Sequence, residues 1–398
     1  MTLTMPAPTT DLGTALARAR ERAGFSQEEV ALLVGQQRPV ISNWENGSRR
    51  PNSQQLAKLT AIYRVSLDEL LGGQPRVKPD FERLVFRDAG DRLDPAGKYE
   101  IQRFLAFLDD YGELLEALDE PPGMTRSPFS LHQGFGSKED IRRKAEDARS
   151  FLRIGDGPAG DLVARCDLAG ITVYFAPLGA DLKSTVSGAF LPHERVGFSI
   201  LVNVETTPGR RTFTLAHELG HALFHGDRVF VGYFGRREAS ERFASAFAAE
   251  FLVPSQSLRA AVEAFGISKV RDPEVVVQLQ RLFGVSYSMM LVRLGTVGLA
   301  AQQDVERLRE VQPVHLADRL GYSTQPDEWG QDAEGLGIGR FPRRFARLVR
   351  RAVHDEQLTI SVAAGLMGLA EEDVEEFLAD QPAPTPETEE FEYIAASA

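Results

Sequence analysis

Residues 11–72 consist of short amphipathic segments separated by residues that favour turns. Leu12, Leu16 and Ala19 repeat at helical spacing and give the first segment one apolar face. Ser26 followed by Glu29 has the spacing of a capping box and predicts the start of a second helix. Five short helices are therefore expected here. The second helix is predicted from Glu28 to Val34, with Gly35 ending it, and the third from about Gln37 to Glu45. The fourth is predicted to start near Ser53, and Ser66 is predicted to cap the fifth.

Beyond residue 80 the spacing of apolar residues predicts longer helices and one small sheet. Apolar residues at helical spacing indicate helices, and β-branched runs bounded by turn residues indicate strands. The predicted elements are, in chain order, helices from Tyr99 to Leu118 and Lys138 to Leu152, strands from Ile171 to Ala176, Val186 to Leu191 and Phe198 to Asn203, and helices from Gly209 to His225 and Ala239 to Leu252. Most of the remainder to Leu378 is expected to be helical. No internal repeat is evident.

Composition excludes several classes of protein. The chain has 398 residues, 43% of them hydrophobic, so it can bury substantial cores and is not disordered as a whole. The single cysteine, Cys166, can form neither an intramolecular disulfide nor a thiolate zinc cluster. The sequence has no apolar run long enough for a membrane span and no signal-peptide pattern at its start. We therefore expect a cytoplasmic protein with no membrane association.

Charge is segregated along the chain, although the net charge is −12. Residues 1–75 carry eight Lys and Arg against seven Asp and Glu, whereas the segment from Glu371 to Ala398 has ten acidic residues and no basic one. An arginine-rich helical stretch precedes that acidic end. Such segregation favours different partners for different parts of the chain.

A helix, a turn at Gly35 and a second helix are the layout of a helix–turn–helix DNA reader. At the start of the second helix, Gln37, Arg38 and Asn43 are predicted to reach base edges, where Arg pairs with guanine and Asn with adenine. Pro39 is tolerated in the first turn because its missing N–H would be unpaired there. The predicted phosphate contacts are Gln27, Ser42, Arg49 and Arg50.

The string FSQEEVALLVGQQRPVISNWENGSRRPNSQQLAKLTAIYRVSLDELL resembles the XRE family of phage-repressor-like regulators over its whole length. The resemblance covers about residues 11–72. It implies binding to a palindromic double-stranded DNA operator as a homodimer. Trp44 and Glu45 are expected to stabilise the helix bundle rather than to read bases.

His217-Glu218-Leu219-Gly220-His221 is an HExxH motif. Residues four apart lie on one face of a helix, so both imidazoles can reach one tetrahedral cation. Glu218 is then the predicted general base for metal-assisted hydrolysis. A third protein ligand is required, and the spacing leaves three candidates open, which are Asp227, Glu238 and Glu241. The expected metal is Zn²⁺, with another divalent ion such as Mn²⁺ as an alternative.

The strings RRTFTLAHELGHALFH and ERFASAFAAEFLVP resemble the two most characteristic stretches of the ImmA/IrrE family of metallopeptidases. The resemblance covers roughly residues 138–295. It implies that Glu241 is the third ligand, and that Ser245 replaces an Asn usual in the family. His225 is expected at the helix end or beside the ligands, and Glu250 is expected to be a solvated charge.

The predicted fold is mainly α-helical with a small β-sheet, an α+β fold. Its expected parts are a five-helix helix–turn–helix domain at 11–72, a helical connector at 80–137, a zincin-like metallopeptidase domain at 138–298, a C-terminal helical accessory domain at 299–380 and a disordered acidic tail at 381–398.

Two functions of different class fit these motifs. The first is a transcription regulator with a zinc endopeptidase domain that cleaves an XRE-type repressor, or itself. The alternative is a regulator or antitoxin whose zincin domain is a sensor or structural platform with little proteolysis. Retention of His217, Glu218 and His221 favours the first.

Overall fold

The computed structural model describes residues 11–72, 93–131, 134, 136–179, 186–226, 228–233, 238–322 and 337–379. The chain divides into two compact units, Met1–Gly335 and Leu336–Ala398. The tail predicted at 381–398 falls on residues outside the described ranges. The architecture is mainly helical with one four-stranded sheet, as predicted.

Five short helices form the N-terminal bundle. They are α1 (Leu12–Arg22), α2 (Gln27–Val34), α3 (Arg38–Glu45), α4 (Ser53–Tyr63) and α5 (Leu67–Leu70). The capping box at the start of α2 is present, since Ser26 accepts from the Glu29 N–H and Glu29 accepts from the Ser26 N–H. Gly35 then adopts a left-handed conformation with φ of 69°, which ends α2 and turns the chain into α3. Trp44 is buried in the bundle core, as expected.

Helix α6 (Pro95–Ala117) packs on one side against this bundle. The Lys98 ammonium lies 2.7 Å from a carboxylate oxygen of Glu29, and the Gln102 amide donates to the Ala23 carbonyl at 3.4 Å. Arg64 at the end of α4 forms an ion pair with Asp109. The contacts between α6 and the bundle thus include several polar pairs as well as apolar packing.

The other side of α6 contacts the sheet through aromatic rings. Tyr174 in strand β1 lies 5.2 Å from Phe104 and 4.9 Å from Phe107, measured between ring centroids. The sheet order is β1-β3-β2-β4, with β1 and β3 parallel and the other pairs antiparallel. Its strands are β1 (Thr172–Ala176), β2 (Val186–His193), β3 (Gly197–Asn203) and β4 (Phe230–Tyr233), and the sequence prediction missed β4.

Helices cover the sheet and complete one apolar core. Those preceding or flanking the strands are α7 (Lys138–Phe151), α8 (Leu162–Leu168), α9 (Pro208–Phe224) and α10 (Ala239–Leu252). Those that follow are α11 (Ser255–Ala264), α12 (Pro273–Phe283), α13 (Tyr287–Val297), α14 (Gln302–Arg309) and α15 (Pro313–Arg319). Val305, Leu308 and Ala317 belong to the same buried cluster as the sheet. Helices α14 and α15, which follow residue 299, therefore pack into the same core as the sheet.

The expectation that Glu250 is a solvated charge is wrong. Glu250 on α10 is 9% exposed and forms an ion pair with Arg293 on α13, which is 5% exposed. The Ser255 N–H and hydroxyl also donate to this carboxylate, at 2.8 and 2.9 Å. Residue 250 points away from residue 241 on α10, but that face is covered by a later helix rather than by solvent. The spacing of residues along α10 shows that residue 250 lies on a different face from residue 241, but it does not show which element packs on that face.

Breaking this buried pair should destabilise the unit that contains it. We expect Glu250→Gln to lower the free energy of unfolding by about 3–5 kcal/mol, because Arg293 keeps its charge without a buried counter-charge. Adding Arg293→Met to that variant should restore most of the loss. Chemical denaturation measures both, with the exposed Glu263→Gln as a control expected within about 0.5 kcal/mol of wild type. Equal losses for the single and double variants would contradict this assignment.

Asp109 on α6 joins three elements. Besides the ion pair with Arg64, its carboxylate lies 3.6 Å from His193 Nε2 and 3.9 Å from an Arg195 nitrogen. Burial alone would raise the pKa of Asp109, but the His193 hydrogen bond and the charges of Arg64 and Arg195 outweigh it and lower the pKa. The bundle and the sheet are therefore held to α6 partly through one carboxylate.

Asp109→Asn should lower the free energy of unfolding by about 1–3 kcal/mol near neutral pH. A carboxyl whose pKa is lower in the folded state stabilises the protein above its unfolded pKa of about 3.9, and loses that effect as pH falls through the folded value. The difference between wild type and variant should therefore shrink below about pH 4. Denaturation curves between pH 3 and 7 test this, with the exposed Asp318→Asn as control. A difference that persists unchanged to pH 3 would rule out the carboxylate's charge as the cause.

The second unit contains three described helices after a short 3-10 turn at Gly337–Arg340. They are α16 (Arg343–His354), α17 (Ile360–Met367) and α18 (Glu371–Ala379). Its core includes Phe345, Val349, Ala363 and Val374. Within the described ranges, no single helix is both long and apolar enough to cross a membrane, although α12 and α13 together, bent by 102°, pass that test by length and composition.

Candidate metal centre and DNA-reading helix

The metal centre is built by the close approach of α9 and α10. At Gly220, within the HExxH motif, an added Cβ would lie 2.8 Å from the Phe247 ring of α10. On the sheet side, a Cβ on Gly188 of β2 would lie 2.7 Å from the Leu201 carbonyl oxygen and 3.3 Å from Glu218 Cγ. The two glycines allow α9 to pack closely against both neighbours, and the sequence prediction assigned neither of them a role.

This packing brings two imidazoles and one carboxylate together. His217 Nε2 lies 3.2 Å from His221 Nε2 and 3.2 Å from Glu241 Oε2, and His221 Nε2 lies 3.6 Å from Glu241 Oε1. Among the described residues these three form a group able to hold a metal ion. Donors around a tetrahedral ion with bonds of about 2.0–2.1 Å are separated by about 3.3 Å. The observed separations and the donor types therefore fit Zn²⁺ or a similar divalent ion.

The electrostatics of Glu241 suit a ligand. Burial alone would raise the pKa of its carboxyl, but hydrogen bonds from His217 and His221, together with their charges, hold the pKa well below its usual range. The carboxylate is 4% exposed and stays ionised beside the imidazoles. An ionised carboxylate is the form that ligates a cation, and the two imidazoles must be neutral to bind the same ion.

Glu218 occupies the position expected of a general base. It lies on α9 between the two histidines in sequence, it is fully buried, and its stem faces Gly188 of the sheet. The structure thus brings together the three predicted ligands, and Glu218 lies on the same helix as two of them. The other two candidates for the third ligand are not part of this donor group. Glu238 is the exposed N-cap residue of α10, and Asp227 lies outside the described residues.

Aromatic and imidazole rings position His221. The Phe230 ring of β4 stacks on it with centroids 3.9 Å apart and an interplanar angle of 14°. His225 Nδ1 lies 3.2 Å from His221 Nδ1, and His225 is buried at the end of α9. His225 is thus beside the ligands, as expected. Phe230 was missed because β4 was missed, although its short apolar run was the available signal.

Ser245 contacts the other ligand histidine. Its hydroxyl lies 3.3 Å from His217 Nδ1, the ring nitrogen that faces away from Glu241. Hydrogen bonds to that nitrogen fix the tautomer and orientation of a metal-binding histidine. The serine at this position therefore supplies a contact of the kind that orients the His217 ring.

Ser245→Ala should weaken metal binding by about tenfold, the lower end of the range for such contacts, because Ser245 is exposed and water can replace it. Competition with a chromophoric chelator measures the affinity. Ser245→Asn keeps a hydrogen-bonding side chain and should retain most of it. Equal affinity in the alanine variant and wild type would mean that His217 needs no partner at Nδ1.

Helix α3 presents its predicted reading residues outward. Arg38, Pro39 and Asn43 are exposed, as is the N-cap residue Gln37, while Ser42 is half-buried. Arg49 and Arg50 are exposed in the segment after α3. The Gln27 amide, in contrast, donates to Glu45 at 2.9 Å, and Arg20 donates to the same carboxylate at 2.7 Å. Glu45 is therefore structural, as expected, whereas Gln27 has a partner within the bundle.

The fold and the site define a helix–turn–helix protein with a two-histidine, one-carboxylate metal centre. Residues 16–70 match the family model described as Helix-turn-helix, and residues 166–295 match the model described as IrrE N-terminal-like domain. These matches cover the bundle and the region that contains all four residues of the centre.

Individual relatives share parts of the sequence. Radiation response metalloprotease IrrE of Deinococcus radiodurans is 36% identical over 104 residues, which are 24% of this chain and 29% of that protein. HTH-type transcriptional regulator ImmR of Bacillus subtilis is 41% identical over 61 residues, 15% of this chain and 48% of that protein. HTH-type transcriptional regulator YqaE of Bacillus subtilis is 31% identical over 105 residues, 26% of this chain and 78% of that protein.

The chain therefore belongs to the helix–turn–helix family and carries, after that domain, an IrrE-like metallopeptidase domain. It spans less than a third of the matched IrrE protein and about half of ImmR. The matched metallopeptidase family implies a divalent metal, for which His217, His221 and Glu241 provide a site.

Proposed function

We propose that this protein is a DNA-binding transcription regulator whose zinc-dependent endopeptidase domain cleaves an XRE-type repressor, or the chain itself, and so controls gene expression. The observation that carries the proposal is the convergence of His217, His221 and Glu241 beside Glu218, in a chain that also exposes a DNA-reading helix. On this proposal the protein acts in the cytoplasm and binds a double-stranded operator as a homodimer.

The chemistry follows from the positions of these side chains. A divalent metal held by His217, His221 and Glu241 would supply Lewis acidity toward a peptide carbonyl. Glu218 can take a proton from water as the attack on that carbonyl begins and deliver it to the departing amine nitrogen. His225, Ser245 and Phe230 hold the two imidazoles in fixed orientations.

One observation favours the alternative, a regulator or antitoxin with little proteolysis. Glu218 is fully buried, and a general base must meet both water and substrate. In that alternative the same centre would bind metal as a sensor or a structural support. The two functions share DNA binding and differ in whether a peptide bond is cut.

The test uses the purified full chain supplied with Zn²⁺ or Mn²⁺ and mixed with the XRE-type repressor encoded nearest its gene. We expect a single defined cut in the repressor or in the chain itself, seen by intact mass spectrometry and abolished by a chelator. Intact masses for both proteins with both metals, together with retained DNA binding, would overturn the peptidase proposal and support the alternative.

A further inference from the structure

The second unit repeats the helix–turn–helix geometry of the first. Ser26 caps α2 and Gly35 ends it in a left-handed conformation, while Thr359 caps α17 and Gly368 ends it in the same way. Both helices have eight residues, and in both the next helix starts three residues after the glycine. Every equivalent pair is separated by 333 residue numbers, as from Gly35 to Gly368.

The backbone hydrogen bonds of the two turns also correspond. The Gly35 N–H donates to the Leu32 carbonyl at 3.2 Å, and the Gly368 N–H donates to the Gly365 carbonyl at 3.2 Å. The following residue donates to the fourth-last residue of the helix in both cases. Its distance is 2.8 Å to Ala31 in the first unit and 3.1 Å to Ala364 in the second.

The buried positions agree in the same register. The equivalent buried pairs are Leu16 and Val349, Ala19 and Ala352, Val30 and Ala363, Ala31 and Ala364, Val34 and Met367, and Ile41 and Val374. The expectation of no internal repeat is therefore wrong at the level of structure. It arose because burial and turn geometry are retained while most residue identities along these helices differ.

The helix equivalent to the DNA-reading helix is strongly acidic, whereas α3 carries one arginine and one glutamate. Glu371, Glu375 and Glu376 of α18 stand where α3 has Arg38, Ser42 and Asn43, and all three are exposed. Glu372 and Asp373 are exposed as well. Because DNA phosphates repel such a helix, α18 cannot read a groove as α3 does. The exposed arginines of this unit, such as Arg347 and Arg351, lie on α16, the equivalent of α1.

The face of α18 is held in a defined orientation. The Arg350 guanidinium of α16 lies 4.3 Å from the centroid of the Phe377 ring and donates to the Phe377 carbonyl at 2.8 Å. Val374 is fully buried on the inner side. The acidic side chains are thus presented together on an anchored helix, which suits recognition of a compact basic surface.

We propose that α18 binds the DNA-reading face of the helix–turn–helix domain in a second copy of this chain. That face carries Arg38, Arg49 and Arg50, all exposed, and is the surface that would otherwise contact phosphates and guanines. The acidic helix would then compete with DNA for this face, so that the contact between α18 and the DNA-reading face excludes operator binding, whereas a homodimer formed through another surface does not. The proposal uses the DNA-reading face of the proposed function and is independent of peptidase activity.

Sedimentation velocity of the full chain at low and moderate salt tests the proposal. We expect a salt-sensitive association whose dissociation constant rises about tenfold in Glu371→Gln/Glu375→Gln/Glu376→Gln, as for three exposed ion pairs. The matched control is Glu263→Gln/Glu306→Gln/Glu310→Gln. It removes the same number of negative charges at exposed positions outside α18, and it should associate like wild type. A mixed-sequence 30-base-pair duplex should dissociate the wild-type assembly.

A charge exchange identifies the two faces directly. The variants Glu371→Arg/Glu375→Arg/Glu376→Arg and Arg38→Glu/Arg49→Glu/Arg50→Glu should each lose the salt-sensitive association alone and should recover it when mixed. Circular dichroism and thermal melting establish that every variant is folded. Absence of any salt-sensitive association in wild type, equal weakening by the control, or failure of the mixed pair would each overturn the proposal.

Discussion

Replacing Glu218 by glutamine should lower the rate of metal-dependent peptide hydrolysis by about 10²–10⁴-fold, the range associated with general acid–base catalysis. Glutamine has nearly the same shape, so the packing around the fully buried Glu218 should be kept. It cannot accept a proton from water, and the step that makes water nucleophilic is lost. His217, His221 and Glu241 are unchanged, so the metal should stay bound.

The measurement pairs turnover with metal content. Rates are followed by mass spectrometry on the cleaved repressor or on the chain itself, and metal content by elemental analysis after dialysis. Glu238→Gln is the matched control, because Glu238 is an exposed carboxylate at the start of α10 and outside the donor group. A variant at Glu218 that loses its metal would show that this side chain supports the centre rather than acting as base. Undiminished hydrolysis would assign the proton transfer to another group.

Local chemistry explains what could be predicted from the sequence. The cap at Ser26, the left-handed Gly35 and the spacing of His217 and His221 depend on neighbours within four residues or on a recognised turn. The spacing of residues alone did not identify the third ligand. Three carboxylates fitted the residue pattern, and the resemblance to a family selected Glu241, which the structure brings to the two histidines.

Contacts between distant segments explain what the sequence could not give. Glu250 was expected in solvent because its partner, Arg293, is on a helix that follows two others. Gly188 and Phe230 matter only because β2 and β4 pass beside α9, and neither residue type indicates a site by itself. Pairing of strands and packing of helices are decided by the whole core, so no window of sequence contains them.

The unrecognised repeat has a related cause. Helices α2 and α17 bury equivalent positions, but small and large apolar residues replace one another, as with Val34 and Met367. The reading positions change from one basic and two neutral residues to three glutamates, so residue identities do not reveal the correspondence. Cap, glycine turn and buried spacing are the physical requirements of the motif, and these three are what the two units share.

Replacing both Arg38 and Asn43 by alanine should reduce affinity for a specific duplex by one to four decades. Each lost base contact costs about 1–3 kcal/mol, and the two side chains read different bases. Both residues are exposed, while the buried Ile41 and Trp44 on the other face of α3 keep this helix in the bundle. The domain should therefore remain folded, and the loss should be confined to recognition of bases.

Selection of binding sites from a random duplex library supplies the specific sequence, and fluorescence anisotropy then gives affinities at several salt concentrations. Arg49→Ala/Arg50→Ala is the matched control, because exposed arginines that contact phosphates lower affinity for all sequences alike and reduce the salt slope by about one each. The reading pair should instead relax the selected sequence at defined positions. If the Arg38/Asn43 variant selects the same sites with the same affinity, α3 meets DNA through other residues. In that case the acidic character of α18 would concern binding between proteins rather than the loss of base recognition.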